Sequence, residues 1–139
     1  MTGGTNIPPD DEAVVRRYFH CLDTEDWVTM RTLWNDDAEL RAVGTRPRSG
    51  GDAAVEYFSR IFAPWQQHTD APMRLIKDGE TIVVEVTFTG TTHDGRDVSF
   101  DAIDVFDMRD GRIQKLSNWY DIAYARRVLT EGSPASGGA

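Results

Sequence analysis

Apolar side chains recur along this chain with two different periods, helical in the first half and alternating in the second. After Pro8-Pro9 and an acidic turn, Val14, Val15, Tyr18, Phe19 and Leu22 share one stripe while Arg16, Arg17 and His20 take the other side, the pattern of an amphipathic helix. A second short helix is expected from near Thr24 or Asp26, carrying Trp27, Met30, Leu33 and Trp34. A third follows Ser49-Gly50-Gly51-Asp52, with Val55, Phe58, Ile61 and Phe62 on its apolar stripe and Pro64 as its stop. From Met73 onward the period becomes two: Ile82, Val84, Val86 and Phe88 alternate with Thr81, Val83, Glu85, Thr87 and Thr89. His93-Asp94-Gly95-Arg96 and Arg109-Asp110-Gly111-Arg112 read as turns leading to two more strands, Val98 to Met108 and Ile113 to Tyr120, so three antiparallel strands form a meander. A last helix runs from Ile122 to Leu129. Helices early and strands late define an α+β domain.

One position breaks the alternation. The even residues of the strand Val98 to Met108 are Val98, Phe100, Ala102, Asp104, Phe106 and Met108, a carboxylic acid on an otherwise apolar face. Burial there disfavours the charged form and raises the pKa unless a cation or several donors compensate. A carboxyl in that state can donate a hydrogen bond or exchange a proton; it can equally be a packing residue bonded to backbone or to a core Tyr, or be turned outward by a bulge. Tyr18 lies on the apolar stripe of the first helix and would bring a phenol into the same interior, or stand there as a core aromatic. Asp121, between the last strand and the last helix, is a candidate acid or base and also a natural N-cap.

Composition narrows the function classes. The chain has 139 residues, 15 Lys plus Arg against 23 Asp plus Glu, and a formal net charge of −8, which supplies no field for nucleic acid or an anionic membrane. No apolar run is long enough to cross a bilayer, and the start has neither the basic nor the apolar region of a secretion signal, so a cytosolic protein is expected. Residues 1–9 and 131–139 are rich in Gly, Pro, Ser and Thr and read as flexible tails around a single domain spanning 10–130. The lone Cys21 falls in the first apolar stripe and reads as packing. His20, His68 and His93 have no metal-ligand spacing, and no dinucleotide, phosphate-loop or nucleophile-elbow motif is present, so no metal and no organic cofactor are expected. His68, near Trp65, is a candidate for the mouth of a pocket.

The order of helices, the segment WNDDAEL, a Gly-rich turn (VGTRPRSG) before an AAVEYF helix, Ile103-Asp104-Val105-Phe106, Asp110-Gly111-Arg112-Ile113 and the terminal Trp119-Tyr120-Asp121 resemble the nuclear transport factor 2-like superfamily, in particular its SnoaL-like and ketosteroid-isomerase-like branch. The resemblance covers roughly Val14 to Leu129. It implies a cone of cystatin-like topology, in which a curved antiparallel sheet wraps around the N-terminal helices and leaves a deep apolar pocket, commonly in a homodimer. It also implies that the even face of the Asp104 strand looks into that pocket. Ketosteroid isomerases build an oxyanion hole from a Tyr on the first helix and a protonated Asp in an I-D-x-F strand, matched here by Tyr18 and Asp104. Their general base precedes the Val-Gly turn, where this chain has Ala42. In SnoaL-like polyketide cyclases and limonene-type epoxide hydrolases an Asp after the final strand works in acid/base chemistry, and Asp121 matches it. The hydrolases' Arg-x-Asp pair has no counterpart, since this chain reads Val86-Thr87-Phe88 there. Asp37, in the Asp-Asp-Ala turn, is a second-choice base.

The expected activity is therefore acid/base chemistry without a cofactor on a bulky apolar natural-product intermediate, with a polyketide implied by the resemblance: cyclisation, dehydration or isomerisation. Asp104 and Asp121 would move protons and Tyr18 would stabilise an oxyanion. Trp34, Trp65, His68, Phe88, Phe106 and Trp119 would line the pocket. The alternatives are a non-catalytic module that binds an apolar small molecule, and an epoxide hydrolase.

Overall fold

A computed structural model describes residues 10–131. Residues 1–9 and 132–139 lie outside the described residues, so of the two expected tails only Glu131 is described, and it is the last residue of a helix. Helix α1 (Asp11–Thr24) starts where the Asp10 side chain accepts the Ala13 N–H and ends at Glu25, whose left-handed backbone (φ 55°) returns its N–H to the carbonyls of Cys21 and Leu22. Val15, Tyr18, Phe19, Cys21 and Leu22 are its buried face, so Cys21 is a packing residue as expected.

Helix α2 (Trp27–Thr32) is capped by Asp26 and stops two residues short of the expected stretch. Leu33 is its C-cap, and Trp34 begins strand β1 (Trp34–Ala42). Two contacts divert the chain: the Ile113 N–H donates to the Leu33 carbonyl at 2.8 Å, and Arg31 ties the corner together. Its guanidinium holds Asp36 at 2.7 Å, Asp52 at 2.6 Å and the Trp34 carbonyl at 3.2 Å. The short strand β2 (Arg48–Ser49) follows, and α3 (Gly51–Phe62) ends before Pro64.

Strand β3 (Trp65–Asp78) begins well before Met73, where alternation becomes visible in the sequence. It is an edge strand, and its register slips near Gln66 and Met73. Bulges break the period of two and bend the strand, and the edge position tolerates Pro72, which has no N–H to give to a ladder. Strands β4 (Thr81–Thr92), β5 (Asp97–Arg109) and β6 (Arg112–Tyr120) form the expected meander, and α4 (Ile122–Glu131) closes the domain. The β5–β6 loop is Asp110-Gly111 with φ of 54° and 75°, the positive pair that a two-residue hairpin needs.

The six strands form one sheet in the order β2-β1-β6-β5-β4-β3. Every pair is antiparallel except β1 with β6, which is parallel. The α+β class and the curved, mainly antiparallel sheet set against the N-terminal helices stand as expected. The even residues of β5 face inward: Val98, Ala102, Asp104, Phe106 and Met108 are buried. One row crosses the inner face, Ala42 on β1, Asn118 on β6, Asp104 on β5 and Val84 on β4.

Candidate active site

The inner row of the sheet and the helices packed over it enclose a cavity of about 130 Å³. Tyr18 and Leu22 enter from α1, Tyr57, Phe58, Ile61 and Phe62 from α3, and Ala125 and Leu129 from α4. The sheet contributes Ala42, Trp65, Asp70, Phe88, Phe100, Ala102, Asp104, Asn118 and Tyr120. Most of this lining is aromatic or aliphatic. Its polar groups include the Tyr18, Tyr57 and Tyr120 phenols, the Asp70 and Asp104 carboxyls and the Asn118 amide.

Asp104 is 3% exposed. Asn118 Nδ2 donates to its Oδ1 at 2.7 Å, and no other hydrogen bond reaches this carboxyl among the described residues. Burial pushes its pKa up to about 6, with the Asn118 hydrogen bond pulling the other way: one neutral donor does not offset the lost hydration of a carboxylate. Tyr18 is fixed by edge-on contacts with Phe19, Phe58 and Phe106 at centroid distances of 5.0, 5.8 and 5.1 Å. Burial, and after it the nearby Asp104 and Asp70 carboxyls, push the Tyr18 phenol well above its ordinary pKa. It is therefore a donor at neutral pH, never a base.

Asp70 is a cavity group that the sequence reading missed. Burial first, and then Asp104 and Asp23, push its carboxyl well above the usual range. Its signal was present: in a strand, a His-x-Asp sequence puts both side chains on one face, so an inward His68 implies an inward Asp70. Tyr57 and Tyr120 also line the cavity, and burial raises both phenols, Tyr120 to about 12.

Other expected site residues lie elsewhere. Asp121 is exposed, outside the cavity lining, and its Oδ1 accepts the Tyr124 N–H at 2.9 Å; it caps α4. Asp37 is exposed on β1 and absent from the cavity lining, and side-chain hydrogen bonds from Gln114 and Arg109 hold its carboxyl below the usual range. Trp34 and Phe106 are fully buried behind Tyr18 and do not reach the cavity. His68 is no mouth residue: it is buried against Phe62, with ring centroids 4.2 Å apart, and its Nε2 lies 2.8 Å from Glu25 Oε2. Trp119 is 49% exposed on the opposite face of the sheet, paired with Ile103, because it is one residue out of phase with Asn118. Tyr18, Asp104, Trp65 and Phe88 are the expected residues that the fold brings to the cavity.

One wall depends on a missing methyl. Gly90 of β4 pairs with His68, and a Cβ there would come within 2.7 Å of Trp65 Cε3 and 2.9 Å of Phe88 Cζ. The Trp65 ring lies against that bare backbone, and edge-on against Phe88.

The sequence model of the SnoaL-like domain matches residues 15–116, from α1 into β6. The chain belongs to the SnoaL-like family. Among solved structures, this SnoaL-like chain is similar to an NTF2-like protein of unknown function from Burkholderia pseudomallei, with 20% identity, 86% of this chain and 97% of that one covered, and a TM-score of 0.79. It is similar to a candidate polyketide cyclase from Xanthomonas campestris pv. campestris, with 18% identity, coverage of 81% and 91%, and a TM-score of 0.76. It is also similar to an LEH-like epoxide hydrolase from M. tuberculosis, with 23% identity, coverage of 88% and 90%, and a TM-score of 0.75. At these identities the likeness establishes a shared fold. Among curated proteins none matches the chain in sequence. Within the SnoaL-like frame, the position matched to the isomerase base does open on the cavity, and it carries the methyl group of Ala42.

Proposed function

We propose that this SnoaL-like protein is an acid/base enzyme that moves a proton next to a carbonyl group of an apolar, ring-bearing substrate, in a cyclisation, dehydration or isomerisation. The observation that carries this reading is the meeting of the Asp104 carboxyl and the Tyr18 hydroxyl in one apolar cavity. The phenol donates to the carbonyl oxygen and goes on donating as negative charge develops there. Asp104 takes the adjacent proton when ionised and returns it when neutral. A pKa of about 6 leaves both forms available near neutral pH, and Asn118 keeps the carboxyl in place through its hydrogen bond.

At about 130 Å³ the cavity is slightly smaller than the roughly 150 Å³ that admits benzene, so it takes at most one ring. The reacting carbonyl ring sits inside, and any further rings of a polyketide extend beyond the cavity. Epoxide opening is the weaker reading, because no Arg lines the cavity among the described residues.

The test is exchange of α-hydrogens for deuterium in one-ring and two-ring enones and β-diketones, followed by NMR. The wild type accelerates exchange, with a rate that climbs through pH 6. Asp104→Asn and Tyr18→Phe lower it by about 10²-fold to 10⁴-fold while ligand affinity is kept. Saturable binding of these ketones without any exchange would instead identify a binding module.

A further inference from the structure

We infer that Asp23, His68 and Asp70 form a site for one divalent first-row transition-metal ion of the zinc class at the α1–β3 seam. Asp23 is on the last turn of α1, while His68 and Asp70 share the inner face of β3, so no linear spacing announces the cluster. Each residue offers one ligand atom, and the three atoms lie within 4.8 Å of one another. Metal–ligand bonds of about 2.0–2.2 Å bring tetrahedral ligand atoms to about 3.4 Å from one another, so these atoms would close by up to about 1.4 Å around the ion.

Two of these groups are otherwise unexplained. Among the described residues, His68 Nδ1 and Asp70 Oδ1 are the buried side-chain polar atoms without a hydrogen-bond partner, and His68 is only 5% exposed. An orphaned buried polar atom is a lasting penalty. These two make no hydrogen bond to each other, yet both lie within reach of a shared cation.

The surroundings are those of a ligating imidazole. Glu25 Oε2 stands 2.8 Å from His68 Nε2; a carboxylate can only accept there, so Nε2 donates to it, and Nδ1, which has no hydrogen-bond partner, is the nitrogen left to ligate. A carboxylate on the far nitrogen is the usual outer partner of a metal-bound His. Phe62 stacks on the ring with an interplanar angle of 19°, and Asp23 Oδ1 is held by the Asp70 N–H at 2.8 Å. One nitrogen and two carboxylate oxygens suit zinc-class ions better than Mg²⁺ or Ca²⁺, which favour all-oxygen shells. Three protein ligands leave a fourth position open, and Asp70 puts it beside the cavity.

The inference is independent of the acid/base reading, because it is read by binding and not by turnover. Calorimetry of the EDTA-stripped full chain with ZnCl₂ is expected to give one ion per chain at micromolar affinity or tighter. His68→Ala and Asp70→Asn, each verified as folded by circular dichroism, weaken it at least 100-fold, and Glu25→Gln weakens it about 10-fold to 100-fold. Nitrogen NMR of the imidazole adds a readout that needs no variant: Zn²⁺ moves the His68 Nδ1 resonance and leaves Nε2 protonated. Absence of stoichiometric binding, binding that survives both His68→Ala and Asp70→Asn, or an unmoved Nδ1 resonance overturns the site.

Discussion

Asp104 makes the protein less stable as it becomes more basic. Its folded pKa of about 6 lies above the roughly 3.9 of an unfolded Asp. Between about pH 4 and pH 6 the native carboxyl keeps a proton that the unfolded one has lost, so stability falls as pH rises through that window and is level above it. The difference amounts to about 3 kcal/mol. Asp104→Asn removes the ionisation and keeps an amide that can accept from Asn118. We expect the variant to be more stable than the wild type at pH 8, by up to about 3 kcal/mol, and equal to it at pH 4, as read by urea denaturation at the two pH values. Greater stability with lost proton transfer is the trade expected of a strained functional residue. Asp104 and Tyr18 were legible in the sequence because each breaks a rule on its own element. Asn118 was not legible as the partner of Asp104. Counting back from the Asp110-Gly111 turn pairs Asp104 with Ser117, but an irregularity near Gln114 shifts the ladder by one residue and puts Asn118 there instead.

Elements with a clean period were predictable: α1, α3 and β4 to β6 lie close to where their apolar spacing puts them. Elements governed by tertiary contacts were not. The end of α2 is decided by the Ile113 N–H, which reaches the Leu33 carbonyl from β6, and by Arg31 of α2 itself, whose guanidinium ties Asp36 and the distant Asp52 to the corner. Strand β3 has two register shifts and an exposed edge, so its extent is hidden in the sequence, and the His68-x-Asp70 spacing becomes readable only once that segment is known to be a strand. At the start of α4, the Asp121 carboxylate does the work of a cap. Asp121→Ala is expected to cost about 1 kcal/mol of stability, visible as a lowered thermal midpoint, and to leave α-hydrogen exchange by Asp104 unchanged. A large loss of exchange activity at unchanged fold would return Asp121 to the chemistry.

The sheet presents two faces with different characters. Its inner face closes the cavity, while its outer face exposes Met73, Ile76, Ile103 and Trp119 at 66, 50, 36 and 49% around an open hollow of about 300 Å³. We propose this outer face as the contact between two copies of the chain, in line with the homodimer expected from the resemblance; exposed apolar clusters of this kind mark association surfaces. Light scattering after size exclusion is expected to give twice the 15.6 kDa chain mass, and Trp119→Asp with Ile103→Asp to give the single chain. A monomeric wild type would leave this face without that role. No helix among the described residues is long and apolar enough to cross a membrane. The bare backbone at Gly90 bears on the inner face alone. Any larger residue there forces the Trp65 indole to tilt, so one codon in β4 acts as a dial on which molecules fit, without disturbing the pair that would transform them. Relatives with the same acid and phenol could then diverge in ligand size through this single position, and a selection for smaller substrates would be expected to reach it first.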